Sequence, residues 1–223
     1  MRTADIVNPL RRAGGGLIGI LPPSCYLGPM LRDLILKNRS YRRFHQGQPV
    51  EESTLRQLVD LARLSASASN LQPLKFVLSN TSATNAKIFS HLRWAAYLKD
   101  WKGPVDGERP SAYIVILNDT RLSQAIGADH GIAAQSILLG AAESGLGGCM
   151  IASINRNGLR EALGIPDFFE ILLVLALGKP KEEVCIEQVG PSGDIRYWRD
   201  RSGVHHVPKR SLDDLIIGMK TES

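Results

Sequence analysis

Glu170-Ile171-Leu172-Leu173-Val174-Leu175-Ala176-Leu177, closed by Gly178-Lys179-Pro180, runs apolar without alternation from its second residue. A run of this length predicts a strand covered on both faces, because a half-exposed strand would alternate polar and apolar side chains. Ala112 to Leu117 (AYIVIL) has the same character and stops at Asn118-Asp119. Lys75 to Leu78, leaving Pro73, predicts a third buried strand, and Cys149 to Ile154 a short fourth. Around them apolar residues recur at helical spacing over Leu31 to Asn38, Glu51 to Leu64 and Gly158 to Leu163, with a closing helix over Ser211 to Ile217. The second of these carries Leu55, Leu58, Val59, Leu61 and Ala62 as its buried stripe.

The longest helical pattern covers residues 121 to 144, where Ala, Gly and Ser leave small side chains on most faces, so another helix or a second subunit can approach closely. Gly145, Gly147 and Gly148 are expected to end it. His91, Trp94 and Tyr97 fall on one helical stripe within a mixed segment, Ser82 to Lys99, and Gly103 to Pro110 reads as a loop. Trp94, Tyr97 and Trp101 suit either a lid over a substrate or core packing. Asp194 to Trp198 and Gly203 to Val207 resemble a polar hairpin. The core is therefore mixed α and β, with residues 30–220 as one domain. Residues 1–29, with Gly14-Gly15-Gly16 and Pro22-Pro23, form an irregular arm that belongs either to the domain or to an upstream extension.

Hydrophobic residues are 43% and charged residues 22% of the 223, which excludes a disordered chain and predicts a folded core. The excess of 27 basic over 22 acidic residues gives a net charge of +5, suited to a small anionic ligand. Aromatic residues are only 6%, too few for base-stacking platforms, so nucleic acid is not an expected partner. Cys25, Cys149 and Cys185 are odd in number and lack CxxC or Cys/His spacing, arguing for a reducing, cytoplasmic setting and against zinc. His205-His206 has no partner ligands at metal spacing, and no metal is expected. No membrane span is expected, since Ala125 to Ala142 is interrupted by Asp129, His130, Gln135 and Ser136.

Lys37, Arg39, Arg42 and Arg43 place four cations within seven residues, and Ser40 adds a hydroxyl. Guanidinium forks engage two oxygens of a terminal phosphate at once, although a solvated basic loop has the same composition. In Ser65-Ala66-Ser67-Ala68-Ser69-Asn70-Leu71-Gln72-Pro73 small side chains let a flat ligand near the backbone. Asn70 and Gln72 offer both donors and acceptors to a heteroaromatic edge, though a serine-capped turn would look alike. Pro208-Lys209-Arg210 is a third segment competent to bind an anion. Cys149 reads as a buried filler before a redox thiol, and His130 as a helix histidine as readily as an acid or base. No GxGxxG fingerprint falls between a strand and a helix of the domain, since Gly14-Gly15-Gly16-Leu17-Ile18-Gly19 has the spacing but lies in the irregular arm, so a nicotinamide nucleotide would visit rather than stay.

Arg39-Ser40-Tyr41-Arg42-Arg43-Phe44, Ser67 to Pro73, Gly145-Leu146-Gly147-Gly148-Cys149-Met150, Leu177-Gly178-Lys179-Pro180 and Lys209-Arg210 together resemble, in order and spacing, the FMN-dependent nitroreductase family. The resemblance implies an α+β fold, a mixed central sheet surrounded by helices, in an intertwined homodimer whose two FMN sites use both chains. It implies that Arg39, Ser40 and Arg42, joined by Lys209 and Arg210, hold the phosphate and ribityl chain. Ser67, Ser69, Asn70 and Gln72 would lie along the isoalloxazine, with Met150, Ile151, Ala152 and Ser153 near its reactive N5. It further implies ping-pong hydride transfer from NAD(P)H to a small acceptor such as a nitroaromatic or a quinone; a flavin- or phospholigand-binding protein without turnover is the alternative. Ala66 stands where many members have proline, and Leu74 where many have an aromatic residue, departures that bear on the substrate pocket. Lys75 and Asn70 are candidates to stabilise reduced flavin at its pyrimidine edge, and no residue is singled out as catalytic.

Overall fold

The computed structural model describes residues 30–125 and 127–218; the expectations for residues 1–29 and for the last residues of the domain lie outside them. The apolar runs become the two inner strands of a four-stranded sheet. β2 (Ala112–Asp119) is buried along its whole length, and β4 (Phe169–Gly178) from Ile171 onward. β1 (Leu74–Ser79) and β3 (Gly147–Ile151) flank them in the order β1-β2-β4-β3, each neighbouring pair antiparallel. Beyond β3, the chain at Ser40 adds a parallel bridge to Gly148, which makes the edge mixed.

Side-chain alternation sends β2 in two directions. Ala112, Ile114 and Ile116 pack with Leu55 and Leu58 of α2 (Glu52–Arg63) and Ile137 and Leu138 of α4 (Asp129–Glu143). Tyr113, Val115 and Leu117 pack with Ile88 of α3 (Ser82–Ser90) and Leu159 of α5 (Arg156–Leu163). Helices on both faces explain why the strands read as continuous apolar runs. A bulge lets Leu117 pair with Ile171 and Ile116 with Leu173; the extra residue, Leu172, faces the α2/α4 layer beside Leu173. α1 (Leu31–Lys37) leads into the basic segment, and a second sheet, β5-β7-β6, closes the domain. In it β5 (Val184–Gln188) runs parallel to β7 (His205–Lys209), and β6 (Trp198–Arg199) antiparallel to it.

Several expectations change. The long helix starts at Asp129, because Asp119 turns back onto Arg121 through its backbone N–H and guanidinium, and Gly127 takes φ +51°. Gly145 ends α4 at φ +70°, but Gly147 and Gly148 open β3 instead. α3 stops at Ser90 and Ala95 has φ +41°, so Trp94 and Tyr97 share no helical stripe with His91. β1 is a half-buried edge strand, β3 ends at Ile151, and the closing helix is only α6 (Leu212–Leu215). The close approach expected of the small-residue helix is real: a Cβ on Gly140 would lie 2.2 Å from Leu61 Cδ1 of α2.

Candidate functional site

Arg39 and Ser40 leave α1 and run along the outer edge of β3, where Tyr41 N donates to Gly148 O over 3.0 Å. Only glycine permits this contact: a Cβ on Gly147 would lie 2.4 Å from Tyr41 Cδ2, and one on Gly148 would meet Ala176 O at 2.7 Å. The turn that follows is fixed by Glu182, whose carboxylate has no exposed surface. It accepts from Arg42 N and Arg43 N, and from Arg199 Nη2 at 2.8 Å.

These contacts bring the two ends of the domain together. Arg39, Ser40 and Arg42 line a cavity of about 290 Å3 with Tyr197, His205 and Lys209. Arg42 Nη1 donates to His205 Nε2 over 3.1 Å, and its guanidinium lies 4.8 Å from the Tyr197 ring centroid. Burial, then the charges of Arg42 and Arg199, push the His205 pKa down to about 4, which keeps Nε2 free to accept. Arg39 donates through Nη2 to Ile35 O at 2.6 Å, while its Nε is buried without a partner among the described residues. Arg210 is exposed and outside the lining.

A second cavity, about 420 Å3, adjoins the first through Arg42 and Tyr197. Met150, Ile151, Ala152 and Ser153 form one wall, Arg93 and Trp94 another. Cys149 also lines it, but burial raises its thiol pKa and its Sγ turns to Met150 O at 3.6 Å, as expected of a filler. Trp94 and Trp101 pack edge to face with ring centroids 6.5 Å apart, whereas Tyr97 is exposed and leans on Tyr197 at 4.9 Å.

The serine loop lies elsewhere. Ser67 Oγ donates to Asp129 Oδ2 at 2.6 Å, Ala68 N to Asp129 Oδ1 at 3.0 Å, and Gln72 N to Ser67 Oγ at 2.9 Å. Ser69, Asn70 and Gln72 have φ of 50°, 54° and 50°, a left-handed geometry that costs about 1–2 kcal/mol for an ordinary L-residue. Ser67, Gln72, Lys75 and Asp129 line a third cavity of about 220 Å3, while Ser69 and Asn70 are exposed. It shares no residue with the other two. This loop enters β1 while Arg39 and Ser40 lie one step beyond β3, so one chain holds the groups at opposite sheet edges, roughly 19 Å apart over four strand spacings.

A model of the nitroreductase family matches residues 35–179, well over half of the chain. The chain belongs to the nitroreductase family. It is 28% identical over 193 residues to an NADH dehydrogenase of Thermus thermophilus, covering 74% of this chain and 93% of that protein. A nitroreductase family protein from Clostridium novyi NT superposes with a TM-score of 0.56 at 25% identity, over 67% of this chain and 86% of that one. An FMN-dependent nitroreductase from Clostridium difficile R20291 shares the fold with a TM-score of 0.55 at 23% identity, over 67% and 87% of the two chains. The α+β fold read from the sequence is thus that of a nitroreductase, and the chain is an oxidoreductase by family.

In this nitroreductase, Asp129, Tyr197, Arg93 and His205 line the cavities and Glu182 braces the turn beside them, although none belongs to a motif of the sequence. His205-His206 lacks metal spacing, yet His205, Val207 and Lys209 alternate onto the cavity face of β7, a period of two that the sequence carries. Among the described residues no cluster of His, Cys, Asp and Glu is arranged for a metal ion, and no helix is long and apolar enough to cross a membrane.

Proposed function

We propose that this nitroreductase binds FMN, accepts hydride from NADH or NADPH, and passes reducing equivalents by a ping-pong sequence to a small organic acceptor such as a nitroaromatic or a quinone. The observation that carries the reading is the cavity shared by Arg39, Ser40 and Arg42 from one end of the domain and Lys209 from the other. The residues fit the cofactor: a buried, unpartnered Arg39 Nε and two further cations suit a phosphate. The adjoining cavity along β3 has room for an elongated ligand.

Bound FMN supplies the hydride chemistry, which leaves the chain to bind, orient and shield it. Arg39, Arg42 and Lys209 offset the phosphate charge, with Ser40 donating its hydroxyl. Met150 and Ile151 end the edge strand β3, and Ala152 and Ser153 carry its wall of the cavity on to Arg93, whose N donates to Ser153 O. The names of relatives support the donor and cofactor: one is an NADH dehydrogenase, another an FMN-dependent nitroreductase.

The serine loop completes the reading only from a second copy of the chain. Ser69, Asn70 and Leu71 are exposed at the edge opposite the cationic cavity. Leu31, Ile35 and Leu36 of α1 and Leu212, Leu215, Ile216 and Ile217 near the C-terminus leave apolar surface of the kind a homodimer buries. In the assembled pair the partner's loop would cover the flavin, with Asn70, Gln72 and Lys75 at its polar edge.

The decisive experiment is anaerobic addition of NADH or NADPH to the purified protein with its visible spectrum recorded. Loss of the flavin bands, with a dimeric mass in light scattering, is expected. A yellow protein that neither nucleotide bleaches would reduce the function to binding, and a colourless protein that rejects FMN would overturn it.

A further inference from the structure

A cavity of about 250 Å3 lies apart from the three already described and shares no residue with them. It sits between α3 and residues 106–111, and two buried donors in its walls lack partners. Tyr113, from β2, is 1% exposed and its hydroxyl has no hydrogen bond among the described residues. Arg109 Nε is likewise buried and unpartnered, and no carboxylate among the described residues pairs with its guanidinium. Arg109 stacks over the Phe89 ring at 4.5 Å, which occupies the face of the guanidinium and leaves its in-plane N–H groups free. Burial raises the Tyr113 pKa, so the hydroxyl stays a proton donor.

The walls are fixed without a ligand. Gln46 Oε1 accepts from Gly107 N and Arg109 N at 2.8 and 3.1 Å, holding the turn over the cavity. Asn85 bridges the floor, accepting from Ser79 Oγ and donating to Ser111 O, both at 2.7 Å. Phe89, Pro49, Pro110 and Ala86 supply apolar surface. The volume is below the roughly 300–1,000 Å3 of drug-sized sites.

We propose that this cavity is a second ligand site, distinct from the proposed flavin site, that takes a small organic monocarboxylate with an apolar body. Two unpaired donors leave room for a group that only accepts, and a carboxylate is that group. A bound carboxylate would satisfy donors that otherwise stay desolvated and unpaired. Asp106, also in the wall and accepting from Gln46 Nε2 at 3.2 Å, disfavours a dianion such as phosphate. Phe89 and the prolines favour a ring over a bare acetate.

Calorimetric titration of the purified protein with benzoate, acetate and inorganic phosphate tests this. Benzoate is expected to bind saturably and more tightly than the other two. Arg109→Gln and Tyr113→Phe should each weaken it about tenfold or more while the ligand-free protein melts no lower than the natural one. The proposal is overturned by the absence of saturable benzoate binding, by phosphate binding as tightly as benzoate and losing affinity in Arg109→Gln, or by benzoate binding that both variants leave intact. Benzoate binding that Arg42→Ala abolishes and the two variants do not would put the ligand in the cationic cavity and equally overturn it.

Discussion

Ser67 Oγ donates a 2.6 Å hydrogen bond to Asp129 Oδ2, tying the serine loop to the first turn of α4. Asp129 is 5% exposed and takes Ala68 N as well, so one buried carboxylate offsets the left-handed backbone at Ser69, Asn70 and Gln72. Asp129→Ala should therefore lower stability by about 1.5–3 kcal/mol in urea unfolding and weaken FMN binding, because the loop loses both anchors. Asp129→Asn, which keeps one acceptor, should lose less on both measures. Equal losses for the two variants would show that the carboxylate charge, not the acceptor geometry, holds the loop.

Arg39 is poised differently, with one guanidinium nitrogen already bonded to Ile35 O and Nε buried without a partner among the described residues. Arg39→Ala should weaken FMN by about 1.5–3 kcal/mol, roughly ten- to a hundredfold, in a fluorescence titration. Arg39→Lys should recover only part of this, since an ammonium supplies charge without the planar fork. Unchanged affinity in the alanine variant would remove Arg39 from the phosphate site.

His205 makes the cavity sensitive to acid. Its pKa is about 4 when folded against an ordinary 6.5, through burial first and the charges of Arg42, Arg199 and His206 after it. Between those values the unfolded chain binds a proton that the folded chain does not, so stability is present above about pH 6.5 and declines as pH falls toward 4. Protonation would also set a donor against Arg42 Nη1, which now donates to Nε2. Melting temperatures across that window should fall more steeply for the natural protein than for His205→Gln, whose side chain does not titrate. Parallel curves would mean that other groups carry the acid loss.

The strands that hold this site were legible because β2 and β4 are covered on both faces and so read as unbroken apolar runs. The start of α4 was not, since the Asp119 to Arg121 contacts and the positive φ of Gly127 break a segment whose small residues suit a helix. β5 escaped notice because Val184–Gln188 alternates weakly and is defined by parallel pairing with β7, about twenty residues away. The basic and serine segments announced themselves by composition. Their placement at opposite sheet edges, and the coupling of Arg42 to His205, are long-range relations that no local pattern encodes.

Gly148 offers the sharpest link between strand packing and the cationic cavity. A Cβ there would lie 2.7 Å from Ala176 O and 2.5 Å from Leu138 Cδ2, and the backbone oxygen belongs to the sheet ladder and cannot swing aside. Gly148→Ala must therefore push β3 away from β4 or shift α4, at a cost of about 1–3 kcal/mol by analogy with overpacked cores. Because Tyr41 N bonds Gly148 O, any movement of β3 also moves Arg39, Ser40 and Arg42. FMN affinity should fall together with the melting temperature in this variant, although residue 148 lines neither cavity. Gly164→Ala supplies the comparison: its φ of +62° strains an alanine, but no atom lies within 4 Å of the added Cβ. That variant should lose stability with FMN affinity unchanged, and loss of affinity in both would show that the cavity responds to general destabilisation and not to the position of β3.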